Sequence, residues 1–333
     1  MPEGAFAFSG GCMHRIIPGP PNGFRDLLFE EAESRRRIER EFGAIFAAGG
    51  YREIIPSSVE LMDVYTRGNQ SVGERTFRFL DRDDNLLALR GDFTPSIARI
   101  VAARRDEFAL PARIWYSGPV FRKADRNRGQ YLEFFQVGAE LIGAGSLAQD
   151  AEILDTALRG ITRAGVADAC VHVNHAGIFR GIVAGLNLDA TSRTQVRTAI
   201  DRKDMRTLGT RLAELGLGDG TRAQVDVLSG CVGDAGVLAK AGAVLNNSES
   251  NEALRELVGL ADLLSTWRDR VVFDLTEIDE MEYYTGCMFT FFSPSHSGEL
   301  GKGGRYDGLL KEYGADMPAV GFSLSTDRII ECL

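Results

Sequence analysis

The sequence is poor in cysteine and histidine, and it lacks a long apolar run. Its 333 residues include five cysteines and four histidines, and they contain no CxxC pair. The cysteines are scattered and odd in number, which indicates reduced thiols rather than a disulfide framework. Because His172 and His175 point to opposite faces of a predicted strand, we expect no zinc cluster and no other metal site. No apolar stretch approaches the ~18 residues that a membrane span needs.

A basic leader and an excess of positive charge are missing as well. The short apolar patch at residues 5–8 has no cationic residue before it, so the signal-peptide pattern is not met. The formal net charge is −9, with 44% hydrophobic and 26% charged residues, a composition typical of soluble globular proteins. A negative balance repels phosphate backbones and disfavours nucleic acid as the main ligand. We therefore expect a cytoplasmic protein that binds neither a membrane nor tRNA.

The N-terminal half alternates helical and strand signals. Apolar side chains recur at helical spacing over residues 26–50, which end in Gly49 and Gly50, and a short strand is predicted at 51–56. Two hairpins follow, the first from strands 76–80 and 86–90, and the second from strands 113–121 and 131–142 around a basic loop. This order predicts an α+β fold with a mostly antiparallel sheet flanked by helices.

Composition divides the chain into three predicted parts. Residues 1–175 form the N-terminal part of the core, and residues 176–266 change to helical periodicity with Gly/Asp-rich breaks, which predicts a mainly helical insertion. Residues 267–333 form the C-terminal part of the core, with strands at 271–275 and 284–292 and a final helix beginning near Ser325. The predicted sheet is therefore split in sequence.

Three stretches carry the pattern of a known family. They are RIWYSGPVFRKADRNRGQYLEFFQVGAELIG at residues 113–143, GGRYDG at 303–308 with PAVGF at 318–322 and DR at 327–328, and DLTEIDEMEYYTG at 274–286. In that order they resemble motif 2, motif 3 and the histidine-specific motif of histidyl-tRNA synthetases, which are class II aminoacyl-tRNA synthetases. The helix and strand at 26–56 resemble motif 1. The resemblance implies a class II synthetase-like core that dimerises through the motif 1 side. Because five residues follow Arg328, we expect no anticodon-binding domain.

The departures from the family pattern concern the nucleotide. Ala124 stands where the family has its adenine-reading glutamate, Gln130 and Phe135 replace an arginine and a histidine, and Ser325 replaces the glycine under the adenine. A side chain at Ser325 would crowd a stacked base. Asp279 replaces the arginine that neutralises the substrate carboxylate and the activated phosphate, and such a charge reversal costs several kcal/mol. We expect no adenylation and no cofactor.

Two arginines of the family's phosphate site are kept. They are Arg122 in motif 2 and Arg328 in motif 3. A planar, permanently charged guanidinium suits a phosphate, although an isolated arginine at a strand end is more often structural. We interpret the pair as a vestigial phosphate site.

The residues that would hold free histidine match the family pattern better than the residues that would contact the nucleotide. By resemblance the pocket comprises Asp92, Thr94, Gln136, Glu140, Tyr283 and Tyr284. Alternation along a strand places Gln136 and Glu140 on one face, and paired carboxylates can hold an ammonium group. A second interpretation stays open, in which Asp92 and Glu140 only pair with neighbours such as Arg90.

A chain that keeps the amino-acid pocket but has an altered nucleotide site resembles the regulatory subunits of ATP phosphoribosyltransferase, which are a family of histidyl-tRNA synthetase paralogues. The resemblance implies a protein without chemistry of its own, which joins the short-form catalytic phosphoribosyltransferase in a hetero-octamer and takes part in feedback inhibition by histidine. Two alternatives remain, a truncated histidyl-tRNA synthetase and a free-standing synthetase-like enzyme that charges another acceptor. Both would require adenylation.

Overall fold

The computed structural model describes residues 19–68, 70–123, 131–184, 230–277 and 284–333, with isolated positions at 189, 191, 192, 195 and 214. Its helices are α1 (Phe29–Ala48), α2 (Met62–Gly68), α3 (Gln70–Arg75), α4 (Thr94–Ala103), α5 (Leu147–Ala164), α6 (Ala176–Ala184), α7 (Gly236–Gly242), α8 (Ser248–Leu263) and α9 (Thr326–Glu331). Short 3₁₀ turns lie at Arg105–Glu107, Ser265–Arg270 and Leu310–Tyr313. The sequence interpretations of Ala124, Gln130, Asp279 and Tyr283 fall outside the described residues.

One large sheet organises the described residues. Its strands are β1 (Arg52–Glu53), β5 (Ala112–Phe121), β6 (Glu133–Ile142), β7 (Cys170–His175), β8 (Val232–Gly233), β9 (Val271–Asp274), β10 (Cys287–Phe292), β11 (Gly301–Arg305) and β12 (Ala319–Ser325). They lie in the order β1-β5-β6-β12-β11-β10-β7-β9-β8. Only the β1–β5 and β7–β9 pairs among them are parallel, so the sheet is mostly antiparallel as predicted. The small sheet β2-β4-β3 consists of Val59–Leu61, Leu86–Leu89 and Arg78–Leu80.

The two faces of the large sheet differ in polarity because side chains alternate along each strand. The back face carries Val137, Ala139 and Leu141 of β6, which are buried in one apolar core with α1, α5 and α8. Gln136 and Glu140 of the same strand are buried on the front face. The front face therefore offers polar side chains at the centre of a well-packed sheet, and the site lies there.

The covering helices follow from local signals. In α1 the apolar residues Ile38, Phe42 and Phe46 recur every four positions and are fully buried. Helix α5 begins with a capping box made by Ser146 and Gln149, and it ends at Gly165 with a left-handed φ of 115°. These two helices cross at close range, since a Cβ on Gly160 of α5 would overlap the Phe42 ring.

The described parts of residues 176–266 belong to the same packing unit. Ile178 of α6, Val237 of α7 and Leu257 of α8 lie in the back-face core, and β8 adds an edge strand to the large sheet next to β9. Most of residues 185–229 lies outside the described part of the chain. The predicted boundaries of the three parts are therefore still a prediction.

Candidate functional site

The floor of the site is formed by two glycines in adjacent strands. Gly321 of β12 pairs with Glu140 of β6, and Gly304 of β11 pairs with Gly321. A Cβ on Gly321 would overlap the Glu140 carboxylate, and one on Gly304 would lie 2.7 Å from the Tyr284 ring. Only glycine leaves room here for large side chains to lie across the strands.

Glu140 is the centre of the site. Its carboxylate accepts hydrogen bonds from the hydroxyls of Thr94 (2.8 Å), Tyr116 (3.1 Å) and Tyr306. Complete burial raises the pKa of Glu140 to about 7, although the hydroxyl donors, Tyr306 first, oppose that shift. These three donors are neutral, so the hydrogen bonds that Glu140 makes within the described residues do not neutralise its charge. A buried acid held by neutral donors can take the proton of a nitrogen ligand or pair with a cationic one.

A stack of three side chains supports Tyr116. The Phe93 ring lies 4.3 Å from the Tyr116 ring at an interplanar angle of 10°, and the Arg90 guanidinium lies 4.0 Å from the centre of the Phe93 ring. Arg90 donates to the backbone carbonyls of Pro56 and Pro119, at 2.9 and 2.8 Å from its terminal nitrogens. Arg90 therefore serves the backbone and the stack, and its hydrogen bonds do not go to Asp92 or Glu140.

Asp92 and Thr94 lie at the start of α4, beside Glu140. Asp92 accepts from the backbone N–H of Phe93 at 2.8 Å, and its carboxylate lies 3.8 Å from the Arg122 guanidinium. Burial raises the pKa of Asp92, and the charge of Arg122 opposes that shift. The structure brings Asp92, Thr94 and Glu140 to one end of the front face, as the sequence interpretation requires.

Gln136 and Tyr284 complete the described part of the pocket. Gln136 donates through Nε2 to the Ser323 hydroxyl at 3.4 Å. Its Oε1 is buried and finds no hydrogen-bond partner among the described residues, which leaves an acceptor for a ligand N–H. Tyr284 is 8% exposed and lies over Gly304.

The arginines predicted for a phosphate are held by the protein itself. Arg122 donates through Nε to the carbonyl of Gly91 at 2.6 Å. Arg328 donates to the carbonyl of Glu299 and lies 3.6 Å from its carboxylate. Ser325 is the N-cap of α9, and its hydroxyl accepts from the backbone N–H of Arg328 at 3.3 Å. The serine that replaces the family's glycine thus has a local structural role.

Asp327 anchors the N-terminal segment beside these residues. It accepts from Arg25 at 2.8 Å, from Arg35 at 3.0 Å and from the backbone N–H of Phe135 at 2.8 Å. The Arg35 guanidinium lies 3.3 Å from the centre of the Phe135 ring. Phe135, which stands at the family's histidine position, is therefore covered by a cation from α1.

Sequence reasoning missed Tyr116, Tyr306 and Asp327 as site residues. Tyr306 lies inside the GGRYDG stretch, and Tyr116 faces Gly138 across the β5–β6 pair. Both tyrosines lie within stretches that match the family motifs, so their position in those motifs could have identified them as site residues. Asp327 lies in motif 3, but its partners lie 192 or more positions away in sequence.

Two further observations concern metal binding and membrane-spanning helices. In the part of the chain that the structure describes, no three His, Cys, Asp or Glu side chains are grouped so that they could hold a metal ion. Among the described helices, none combines the length and the apolar character needed to cross a bilayer.

Comparisons with known proteins show the family to which the chain is similar. A family model described as histidyl-tRNA synthetase matches residues 23–329. An ATP phosphoribosyltransferase regulatory subunit from Geobacter sulfurreducens is 36% identical over 317 residues, which cover 94% of this chain and 72% of that protein.

Solved structures agree with the sequence matches. A structure described as an ATP phosphoribosyltransferase regulatory subunit/histidyl-tRNA synthetase from Bacillus halodurans C has a TM-score of 0.87 at 27% identity, covering 96% of this chain and 84% of that one. A histidine–tRNA ligase subunit from Alicyclobacillus acidocaldarius has a TM-score of 0.79 at 25% identity, covering 99% and 98%. The predicted class II synthetase-like α+β fold is confirmed.

Proposed function

We propose, from the premise that this chain belongs to the histidyl-tRNA synthetase family and within it to the ATP phosphoribosyltransferase regulatory subunits, that it is a non-catalytic regulator of histidine biosynthesis. In this role it activates a short-form catalytic ATP phosphoribosyltransferase and takes part in its feedback inhibition by histidine. The proposal places the chain in the cytoplasm and gives it no reaction of its own.

One observation carries the proposal. The buried carboxylate of Glu140 is held by three hydroxyls, while the nearby arginines of the former phosphate site are bound to protein carbonyls and carboxylates. An arginine that is already bound must lose those contacts before it can bind ATP, which weakens nucleotide binding. On the amino-acid side, the Oε1 atom of Gln136 is a buried acceptor that has no hydrogen-bond partner among the described residues.

The physical basis of such control is linkage. A ligand that binds one conformation of the regulatory subunit more tightly shifts its partner by the same differential free energy, commonly about 1–3 kcal/mol. Histidine would bind among Asp92, Thr94, Gln136, Glu140 and the two tyrosines of the histidine-specific motif. Binding without turnover is sufficient for this function.

Assembly follows the same proposal. The chain pairs with itself through the motif 1 side and joins the catalytic subunit in a hetero-octamer. Apolar side chains on this side support the first contact, since Leu28, Phe29 and Ile55 are 60%, 80% and 80% exposed in the single chain. Large apolar side chains with this much exposure are candidates for contact with another protein chain.

The direct test is a titration of the purified chain into a short-form catalytic ATP phosphoribosyltransferase. We expect the rate of phosphoribosyl transfer to rise and to saturate at a fixed subunit ratio. A rate that stays at the level of the catalytic subunit alone, at concentrations that saturate complex formation, would show that the proposal is wrong.

The synthetase alternative has one observation in its favour, since a chain of nearly the same extent is described as a histidine–tRNA ligase subunit. Adenylation can be measured by ATP–pyrophosphate exchange with histidine. We expect exchange at the background level. Exchange well above background would favour an amino-acid-activating enzyme.

A further inference from the structure

Arg305 is the last residue of β11, and its side chain is buried behind the large sheet. The residue before it, Gly304, belongs to the floor of the site on the front face, so alternation along the strand sends the Arg305 side chain to the back. There it reaches Asp150 in the first turn of α5, and all but 6% of the side chain is buried. The next residue, Tyr306, donates its hydroxyl to Glu140 on the front. Two consecutive residues therefore join the back of the sheet to the site.

The guanidinium of Arg305 has all of its N–H groups engaged within the chain. Asp150 accepts from Nη2 at 2.6 Å and from Nε at 3.3 Å, and Asp307 accepts from Nη1 at 3.1 Å. The backbone carbonyls of Ala144 and Ser146 accept from Nη1 and Nη2, both at 3.3 Å. These bonds use the five N–H donors of a guanidinium. Arg305 therefore acts on the site through the residues that it holds in place, and not by binding a ligand itself.

The backbone on both sides of Arg305 is held as well. The carbonyl of Arg305 accepts from the backbone N–H of Thr285 at 2.8 Å and from its hydroxyl at 3.3 Å. The Thr285 hydroxyl oxygen accepts in turn from the N–H of Asp307 at 3.0 Å. The N–H of Tyr306 donates to the carbonyl of Ala319 at 2.8 Å, and Oδ1 of Asp307 accepts from the N–H of Ala319 at 3.0 Å. The segment that carries Tyr306 is therefore bound to β12 and to the segment before β10.

A glycine provides the space through which the Arg305 side chain reaches α5. A Cβ on Gly286 would lie 2.8 Å from Cδ of Arg305, and 3.1 and 3.2 Å from its Cβ and Cγ. Glycine lets the methylene stem pass this close to the backbone, because it has no side chain to collide with it. The local sequence is therefore adapted to an arginine that crosses to the helix.

The ion pair between Arg305 and Asp150 depends on its geometry. Burial raises the pKa of Asp150, and the charge of Arg305 opposes that shift. A buried charge that loses its partner is strongly unfavourable, so the two groups stay together. A lysine would supply the same charge without the planar fork that meets both carboxylate oxygens. Substitution of Arg305 by lysine therefore keeps the charge balance and loosens the position.

We propose that Arg305 is a positioning residue for the Glu140 site. Its pairing with Asp150 fixes the segment from which the Tyr306 hydroxyl donates to the front-face carboxylate. This inference rests on the proposed function in one respect, since Glu140 is the acid that would hold histidine. It adds that the hydrogen bonding of this acid is set from the other side of the sheet, by a residue that does not touch the ligand.

Tyr306 is the donor through which Arg305 should act on Glu140. Burial raises the pKa of Glu140 to about 7, the hydroxyls of Tyr306, Thr94 and Tyr116 lower it, and the charge of Asp92 raises it. Among the three hydroxyls, Tyr306 opposes the effect of burial most. A Tyr306 hydroxyl that moves away therefore raises the pKa of Glu140 further, while the other groups stay the same.

Carbon-13 NMR of the glutamate carboxyl groups tests this on the full chain alone, with the Glu140 signal assigned by its absence in Glu140→Gln. We expect Tyr306→Phe to raise the titration midpoint of Glu140 by about one pH unit, because the carboxylate loses a hydrogen-bond donor. Arg305→Lys should shift the midpoint in the same direction. The double variant Arg305→Lys/Tyr306→Phe should match Tyr306→Phe, since both changes remove the same hydrogen bond.

Arg113→Lys is the matched control. Arg113 also reaches from a strand to α5, where it meets both carboxylate oxygens of Glu152, at 2.6 and 2.8 Å. Its neighbours in sequence, Ala112 and Ile114, have no side-chain donor for Glu140. The control loosens a second ion pair to the same helix and should leave the Glu140 midpoint unchanged.

A further variant decides the matter if Arg305→Lys does not fold. Asp307→Ala removes one partner of Arg305, and because the Asp307 side chain is 41% exposed, the variant should keep its circular dichroism spectrum. It should raise the Glu140 midpoint in the same direction. An unchanged midpoint in folded Arg305→Lys, or in Asp307→Ala where Arg305→Lys is unfolded, would overturn the proposal.

Two other results would overturn it as well. They are additive shifts in the double variant, which would mean that Arg305 does not act through Tyr306, and a shift in Arg113→Lys as large as that in Arg305→Lys. The titration needs neither histidine nor a partner protein, so its outcome is separate from that of the regulatory proposal.

Discussion

Glu140 combines full burial with three neutral hydroxyl donors among the described residues. A buried carboxylate of this kind is costly to keep charged, and the cost falls when a cationic or proton-donating ligand binds beside it. The residue therefore supports the proposal that this site binds a ligand with a cationic or N–H group. The same reason makes its substitution informative.

We expect Glu140→Gln to weaken histidine binding at least about tenfold, since a neutral amide cannot pair with a cationic ligand. Calorimetry with histidine on the chain alone measures this. The Glu107→Gln variant serves as the matched control and should keep the wild-type affinity. Equal affinities in all three proteins would show that histidine does not bind at Glu140.

Stability should also depend on pH through Glu140. Burial raises its pKa from 4.5 to about 7, so the folded chain holds this proton more tightly than the unfolded chain. The contribution of Glu140 to stability is then fully present below pH ~4.5, is lost as the pH rises through about 7 and is constant above, with a total loss on the order of 3 kcal/mol.

The comparison with Glu140→Gln isolates this effect. The Asp274 carboxylate raises the pKa of His172 to about 9, but that group is present in both proteins and cancels. Urea unfolding at pH 5 and pH 8 should show that the wild type loses more stability than the variant. Parallel pH profiles would mean that Glu140 titrates near its ordinary value.

The family resemblance predicted Asp92, Thr94, Gln136 and Glu140 as members of one pocket, and the structure places the two acids and the threonine together. It did not predict Tyr306, whose hydroxyl meets Glu140 across 166 positions of sequence. Periodicity reports the face on which a residue lies, but not which distant residue meets it there. Tyr283 and Asp279 stay predictions, because both fall outside the described residues.

At the scale of single elements, strand β12 has a glycine at the position where a side chain of the neighbouring strand fills the front face. Gly321 has no side chain because the Glu140 carboxylate fills the space beside it. Gly308, shortly before, has open space around it, since a Cβ there would meet no atom of the described residues within 4 Å. The two glycines therefore make a matched pair for substitution.

We expect Gly321→Ala to destabilise the chain by about 1–3 kcal/mol, because the added methyl group forces β6 and β12 or the Glu140 side chain to move. Gly308→Ala should change stability by less than about 0.5 kcal/mol. Denaturant unfolding measures both. Similar stabilities for the two variants would show that the strands do not hold Glu140 against Gly321.

The presence of a helix or strand was easier to predict than the residues at which it begins and ends. The long helix predicted at 26–50 is α1 at Phe29–Ala48, and both hairpins form. The strand predicted at 284–292 begins only at Cys287, since Tyr284 lies over Gly304 instead of extending the ladder. The strand predicted at 51–56 is reduced to Arg52–Glu53. Local propensity favours a strand in both places, but packing decides otherwise.

At the scale of the whole molecule, the large sheet separates an apolar back from a polar front. The order of hairpins along the chain predicted an antiparallel sheet, and the family resemblance predicted a class II synthetase-like fold. Strand order was not predictable from local pattern, because β7, β9 and β8 join the sheet from widely separated parts of the sequence. The edge strand β8 also lies within the stretch that periodicity favoured as helical.

The same architecture suits control of a partner. Helices cover the back face, and the proposed amino-acid pocket around Glu140 lies on the front. Under the proposed function, a ligand bound at the centre of this packed sheet shifts the equilibrium of a partner without any reaction.

The central claim is that a ligand bound at Glu140 sets the activity of a catalytic partner. The most direct measurement is the histidine inhibition curve of short-form ATP phosphoribosyltransferase reconstituted with the wild-type chain and with Glu140→Gln. We predict equal activation by both chains without histidine, and a half-inhibitory histidine concentration that is at least about tenfold higher with the variant. Superimposable inhibition curves, from two chains that activate equally, would contradict the claim.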